Sequence, residues 1–378
     1  MAKFILIPDS FKGTMSSKEI CGIMKDSILK EFRDAEVVSV PVADGGEGSV
    51  DCFLTALGGK KVTLECSGPF FEKMEGFYGL IDGGKTAVIE MAAVAGLPLV
   101  EERKNPLKTT TYGVGELILH AVKNGAKKVI IGLGGSCTND MGCGMAAALG
   151  VEFFDDSNNK FIPTGESLSK IKKIDISNKA KELNGVQIVA MCDVDNLPYG
   201  KSGASYVFAP QKGADENMVK ILDDGVKWAC KAVKECLGVH LDTLKGGGAA
   251  GALGAGVVAF LGGKLQMGID TVLQTVGFNK MLENTDLVFT GEGKIDGQSL
   301  RGKVVIGVAR AAKKVGVPVI AVVGGAEGDM QKAYDEGVSA IFSINRMPEA
   351  FETAKFKSKE NLAFAMDNLL KTFKITYK

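Results

Sequence analysis

Five short apolar runs, each ending in a loop dense in glycine, acidic and hydroxyl residues, constrain this 378-residue chain more than any other feature. Lys3–Ile7 precedes Asp9-Ser10-Phe11-Lys12, and Val37–Val42 precedes Asp44-Gly45-Gly46-Glu47-Gly48. Val129–Ile131 leads into GLGGSCTNDMGCG (132–144), Val186–Met191 into Asp193-Val194-Asp195-Asn196, and Leu287–Thr290 into GEGKIDGQS (291–299). Uninterrupted β-branched runs bounded by turn residues mark strands covered on both faces, as in parallel sheets. In open α/β sheets the loops at the carboxyl ends of such strands form the ligand crevice. One such loop says little, because Asp and Gly are ordinary turn residues; five together point to a binding site.

The segments between these runs supply the helices. Ser16 and Glu19 form a capping-box pattern ahead of Ile20, Met24, Ile28 and Phe32, spaced four apart, and Ser49–Leu57 and Tyr112–Lys123 read as further helices. From Lys61 to Met91 the pattern changes to KVTLEC, EGFYGLI and KTAVIEM separated by turn residues, which reads as antiparallel strands. The last hundred residues return to alternation: Leu287–Thr290, a helix over Val304–Val315, Val317–Val323 and Ala340–Ser343. A chain of this length exceeds the roughly 250 to 300 residues at which single cores stop growing. The expected fold class is therefore α/β in two domains. Residues 1–60 plus 285–378 form a discontinuous, doubly wound, mostly parallel Rossmann/flavodoxin-like domain, and 61–284 an inserted mixed α/β domain carrying the glycine-rich loop.

Composition removes several function classes. Lys plus Arg number 45 and Asp plus Glu 45, so no net field favours nucleic acid or an anionic membrane. The eight cysteines include no CxxC pair and only two histidines exist to complete a zinc site, which reads as free thiols in a reducing cytoplasm. The start MAKFILIPDS is too short an apolar run for a signal peptide. Gly246–Gly263 is long and uncharged, but eight of its eighteen residues are glycine, so it reads as a loop feeding a buried small-residue helix and no membrane partner is expected.

Motif by motif, the chemistry narrows. The 132–144 loop lies between a strand and the helical stretch at Met145–Leu149, an order that aims backbone N–H groups at an anion. It lacks the spacing of the dinucleotide fingerprint. Gly79–Thr86 fits G-x-x-x-x-G-K-[ST] formally, yet DGG reads as a hairpin turn and TAVIEM as a strand, so the match is rejected as a phosphate loop. None of the five loops contains histidine, which argues against a Ser-His-Asp hydrolase. Carboxylates, lysines and glycine N–H groups are instead the parts of phosphoryl transfer to a small molecule. A flavin- or nicotinamide-dependent oxidoreductase and a non-catalytic sensor of a small hydroxy acid stay open on the residues alone.

In six places the chain resembles the glycerate kinase family, the class represented by bacterial glycerate 2-kinases. They are IPDSFKGTMS (7–16), PVADGGEGSV (41–50), IEMAAVAGL (89–97), GLGGSCTNDMGCGM (132–145), FAPQKGA (208–214) and LVFTGEGKIDGQSLRGK (287–303). The resemblance implies ATP-dependent phosphorylation of D-glycerate with Mg2+, to 2-phosphoglycerate or else 3-phosphoglycerate, in a cleft between two α/β domains. A homodimer is compatible with it. Where the family tends to carry D-V-x-N-P-L-x-G this chain has DVDNLPYG (193–200), with Asp193 and Asn196 in matching places. Cys137 stands where alanine is more usual and adds a thiol to the loop.

Roles implied by the resemblance are these. Asp193, Asp296 and Lys12 are the catalytic candidates, with Asp193 or Asp296 holding magnesium or accepting the hydroxyl proton. Asp9, Ser10, Asp44, Glu47, Gly134, Gly135, Ser136, Thr138, Asn139, Asp140, Asn196, Glu292, Gln298 and Ser299 are the substrate-binding candidates. The glycerate carboxylate is expected near Lys12, Ser10 or the Gly134–Ser136 N–H groups.

Overall fold

The computed structural model describes residues 1–43, 45–297 and 299–376. Asp44 and Gln298, both expected at the site, lie outside the described residues. In chain order the strands are β1 Lys3–Pro8, β2 Glu36–Ser39, β3 Lys60–Ser67, β4 Lys73–Ile81, β5 Thr86–Glu90, β6 Lys128–Gly132 and β7 Glu152–Phe154. They continue with β8 Lys160–Phe161, β9 Lys173–Asp175, β10 Gln187–Met191, β11 Lys264–Gln266, β12 Leu287–Gly291, β13 Val319–Val323 and β14 Ala340–Ser343. The chain is a mixed α/β fold that divides into two compact units, 1–44 with 55–57 and 267–378, and 45–54 with 58–266.

In the first unit a five-stranded sheet runs β14-β13-β12-β1-β2, and every pair in it is parallel. β12 and β13 are buried at every residue, which is why their sequences are unbroken apolar runs. In chain order the arrangement is 2-1-3-4-5, the flavodoxin order, and its direction reverses between β1 and β12. Ser16 caps the helix Ser17–Glu31 with both bonds of the capping box, and Ile20, Met24 and Ile28 enter the core against Leu362, Met366 and Leu370 of the C-terminal helix. The second strand spans Glu36–Ser39, and beyond it the N–H groups of Val40 and Val42 still donate to Leu6 O and Pro8 O of β1, so the segment stays alongside β1 up to the expected Val42.

The second unit holds a six-stranded mixed sheet, β11-β10-β6-β5-β4-β3, and a small antiparallel sheet, β8-β7-β9. β5, β6, β10 and β11 are mutually parallel, whereas β3, β4 and β5 form antiparallel hairpins. The β4–β5 turn at Asp82–Gly84 places Gly83 at φ 60°, so the formal phosphate-loop sequence is a hairpin whose Ile81 faces Thr86. No helix among the described residues is long and apolar enough to cross a membrane. The glycine-alanine run instead forms the buried helix Ala249–Leu261, which lies backbone to backbone on the 138–142 loop. A Cβ on Gly251 would sit 2.0 Å from Thr138 O, and one on Gly256 would sit 2.2 Å from Met141 O. Side-chain size, not membrane insertion, explains that composition.

Candidate active site

At the switch point of the first unit, Pro8 pairs with Gly291, and the loops leaving β1 and β12 start together. The Asp9 N–H donates to Gly291 O at 2.8 Å, and Asp9 Oδ1 accepts the Ser10 N–H at 2.6 Å. A Cβ added on Gly293 would lie 3.5 Å from Lys12 N and from Phe11 Cα, so the two loops stay adjacent beyond the sheet. Lys12 itself is exposed on a tight turn closed by the Phe11–Met15 bridge. Asp296 Oδ1 accepts the Ser299 N–H and the Asp296 N–H donates to Ser299 Oγ, a reciprocal pair that ties these two residues together. Asp9, Ser10, Lys12, Glu292, Asp296 and Ser299 are therefore neighbours within one unit.

Glu292 is the most unusual of them. Its side chain is buried and its Oε1 has no hydrogen-bond partner among the described residues. Burial pushes its carboxyl up to about 7, helped by the negative Asp9 and Asp296 and opposed by Ser299 and Lys303. A carboxyl that titrates near neutrality suits proton transfer at the operating pH of a cell.

In the second unit β5, β6 and β10 run side by side in one direction, so their following loops share one edge. The 132–142 loop is strapped to the segment after β5 by Leu97 N–H to Gly135 O and Cys137 N–H to Ala95 O. Residues 45–46 lie on it: a Cβ on Gly132 would meet Gly45 O at 2.4 Å and one on Gly134 would meet Gly46 Cα at 2.6 Å. Only glycine permits that approach. Gly135 and Glu47 reach solvent, whereas Ser136, Thr138, Asn139 and Asp140 are buried.

The buried members divide by role. Asp140 accepts from Thr111 N, Thr111 Oγ1, Thr110 Oγ1, Gly142 N and Gly144 N. Its oxygens are saturated inside the protein, so it braces the loop; the expectation of direct substrate contact does not fit this environment. Burial raises its carboxyl while those hydrogen bonds oppose the rise. Asn139 donates through Nδ2 to Ser205 Oγ at 3.2 Å, and its Oδ1 and Thr138 Oγ1 lack partners among the described residues. Cys137 is buried with its thiol pushed up to about 12, mainly by burial, which removes the reactivity that an exposed thiol would bring. After β10, Asp193 is partly exposed, and Asn196 donates from Nδ2 to Ser202 O at 2.7 Å. The exchanged Leu197-Pro198 packs the Leu197 carbonyl on Gly248, where a Cβ would lie 2.3 Å away.

Two residues stand out that the motifs alone do not assign. Lys212 is 1% exposed and donates from Nζ to Ser136 Oγ at 2.8 Å and to Thr138 O at 2.7 Å. Burial pushes its ammonium down to about 8, against the pull of Cys137 and Asp140. Its one sequence signal is its place in FAPQKGA. Glu90, read as an ordinary strand residue, accepts Gly48 N at 3.2 Å and Val50 N at 2.6 Å, so it occupies the N-terminus of the helix Ser49–Leu57. Among the described residues no cluster of three His, Cys, Asp or Glu side chains is spaced to hold a metal ion.

A parallel-stranded α/β chain whose acids, hydroxyls and glycines gather at the carboxyl ends of its strands is built as a small-molecule enzyme. Its sequence matches the glycerate kinase family over residues 4–374, and the chain belongs to that family. It is 42% identical to a glycerate kinase of Bacillus cereus over 374 residues, covering 99% of this chain and 98% of the relative. It is also 42% identical to the glycerate 2-kinase of Escherichia coli K12 over 378 residues, with 99% and 98% covered. The crystal structure of a Salmonella typhimurium LT2 chain assigned as glycerate kinase 2 superposes with a TM-score of 0.89 at 39% identity, covering 100% of this chain and 99% of that one. The protein is thus a kinase, and family membership implies ATP as phosphate donor. The oxidoreductase and sensor alternatives fall with that finding.

Proposed function

We propose that this enzyme transfers the γ-phosphoryl group of MgATP to the 2-hydroxyl of D-glycerate, giving 2-phosphoglycerate and ADP. The observation that carries the chemistry is buried Glu292, whose Oε1 has no hydrogen-bond partner among the described residues, beside Asp9 at the β1/β12 switch point. Glu292 takes the hydroxyl proton, the freed oxygen forms a bond to the γ-phosphorus, and the bond to the ADP oxygen breaks. This assigns the base role to Glu292 in place of Asp193 or Asp296. The name of the E. coli relative supports the 2-position.

Magnesium usually keeps several waters and binds one or two carboxylates together with substrate phosphates, so a three-carboxylate cage is not required. The donor set fits: Asp9 and Asp296 lie close enough to Glu292 to raise its carboxyl electrostatically. Those two aspartates would hold the ion, which would neutralise charge on the transferring phosphates. Lys12, exposed on the turn that follows Asp9 and Ser10, supplies positive potential for the anionic oxygens. Phosphorus NMR of the product from ATP, magnesium and D-glycerate tests the reading, since 2- and 3-phosphoglycerate give separate signals. A 3-phosphoglycerate signal, or no turnover of D-glycerate, overturns it.

A further inference from the structure

Lys212 presents a physical puzzle. A fully buried ammonium is expensive to desolvate, and both of its hydrogen-bond acceptors, Ser136 Oγ and Thr138 O, are neutral. The nearby carboxylate, Asp140, is already engaged by five donors of its own. Were the task only to tie the loop to the turn Pro210–Lys212, a neutral side chain would do so at lower cost. An ammonium has donors only, so at the Lys212–Ser136 contact Ser136 Oγ is the acceptor, and its own hydrogen points to another partner. Beside Ser136, Gly135 reaches solvent, so the loop opens there while the lysine sits behind it.

We propose that Lys212 is a positioning residue of a carboxylate subsite: from behind the loop it orients and polarises the Ser136 hydroxyl, which donates to the carboxylate of the hydroxy-acid substrate. The inference rests on the glycerate kinase reading and adds its specificity determinant, an anionic group beside the acceptor hydroxyl. Ser136 touches the substrate, and Lys212 acts through it. Thr138 Oγ1 and Asn139 Oδ1, which lack partners among the described residues, lie in the same loop, which marks this stretch as polar beyond its internal needs. The titratable groups facing the ammonium are Cys137 and Asp140, and Lys104 packs its stem on the adjacent Gly213.

Steady-state kinetics of the full-length wild type, Lys212→Met, Lys212→Arg and Ser136→Ala test this, with D-glycerate and ATP varied separately. Lys212→Met and Ser136→Ala should each raise the KM for D-glycerate about thirtyfold, the size of one charge-assisted hydrogen bond, with the KM for ATP little changed. The double variant should be no worse than Lys212→Met alone, because both changes remove one contact. Wild-type affinity for glycerate should fall as pH rises through about 8, where Lys212 loses its proton, and a folded Lys212→Arg protein should lack that fall. An unchanged glycerate KM in Ser136→Ala overturns the proposal, even where Lys212→Met fails to fold. A selective rise in the KM for ATP also overturns it. Absence of glycerate phosphorylation by the wild type would instead remove the functional reading beneath it.

Discussion

Asp9 and Glu292 leave the parallel sheet side by side, tied by the Asp9 N–H to Gly291 O bond of 2.8 Å at the point where strand order reverses. The negative charge of Asp9 adds to burial in holding the Glu292 carboxyl near 7. A base works only when deprotonated, so kcat/KM for glycerate should rise with pH through about 7. Glu292→Gln should lower turnover by about 100-fold or more and remove that limb. Asp9→Asn removes a repelling charge together with one of the two proposed magnesium ligands, so the rate should drop and what remains of the limb should move to lower pH. A pH–rate series on the three proteins checks both; a limb that stays in Glu292→Gln assigns it to another group.

The same shift has a stability consequence of opposite sense. Folded Glu292 holds its proton up to about 7, whereas the unfolded residue releases it near 4.5, so this residue's contribution is full below 4.5 and is lost as pH climbs to 7. Glutamine cannot ionise and escapes the loss. Glu292→Gln should be the more stable protein at pH 8, by up to about 3 kcal/mol, and should lose that advantage near pH 4. Urea unfolding at the two pH values measures the difference, and a variant less stable at pH 8 would contradict it.

Asp140 sets the shape of the second-unit loop. Asparagine in its place turns one acceptor oxygen into an NH2 group facing the N–H donors of Thr111, Gly142 and Gly144. At least one buried donor then loses its partner, so Asp140→Asn should cost about 2 to 4 kcal/mol and reduce activity with it. Denaturant midpoints alongside kcat/KM report this. Full stability with lost activity would move Asp140 from bracing to direct chemistry.

Much of this architecture is legible in the sequence, for identifiable reasons. β1, β12 and β13 are covered on both faces, so they appear as unbroken β-branched runs, and the loops at their ends stand out by contrast. The small β7–β9 sheet is not legible, because strands of two or three residues carry no periodicity. Glu90 alternates within TAVIEM like any half-exposed strand residue, and its partners lie forty residues earlier. Lys212 is hidden for a similar reason: within FAPQKGA nothing distinguishes it from a solvated lysine, and only the fold reveals that it is enclosed. Burial of a charge is a three-dimensional fact with no one-residue signature.

Gly251 joins a strained backbone to a close contact. Its φ is +66°, and a Cβ there would lie 2.0 Å from Thr138 O, a backbone atom that cannot swing away. Gly251→Ala meets both penalties, together about 3 kcal/mol or more, and the displaced atom belongs to the loop that Lys212 holds. The variant should unfold at clearly lower denaturant and lose glycerate affinity. Little change in either would mean that the 138–142 loop tolerates a shift away from the Ala249–Leu261 helix.

Lys85 closes a stretch, Gly79–Thr86, that spells a phosphate loop letter for letter. A working phosphate loop needs a helix after it so that consecutive N–H groups converge on the anion. Here Thr86–Glu90 is strand β5, Gly79 pairs with Val88, and the glycines serve a hairpin turn. The Lys85 side chain is exposed, and its backbone carbonyl accepts the N–H groups of Lys127 and Lys128, which alanine would preserve. Lys85→Ala should therefore leave kcat/KM for ATP within about twofold and stability within about 0.5 kcal/mol. A loss of ATP turnover on the hundredfold scale would show that the nucleotide is held at this hairpin after all, and would draw the phosphoryl donor away from the strand-end loops.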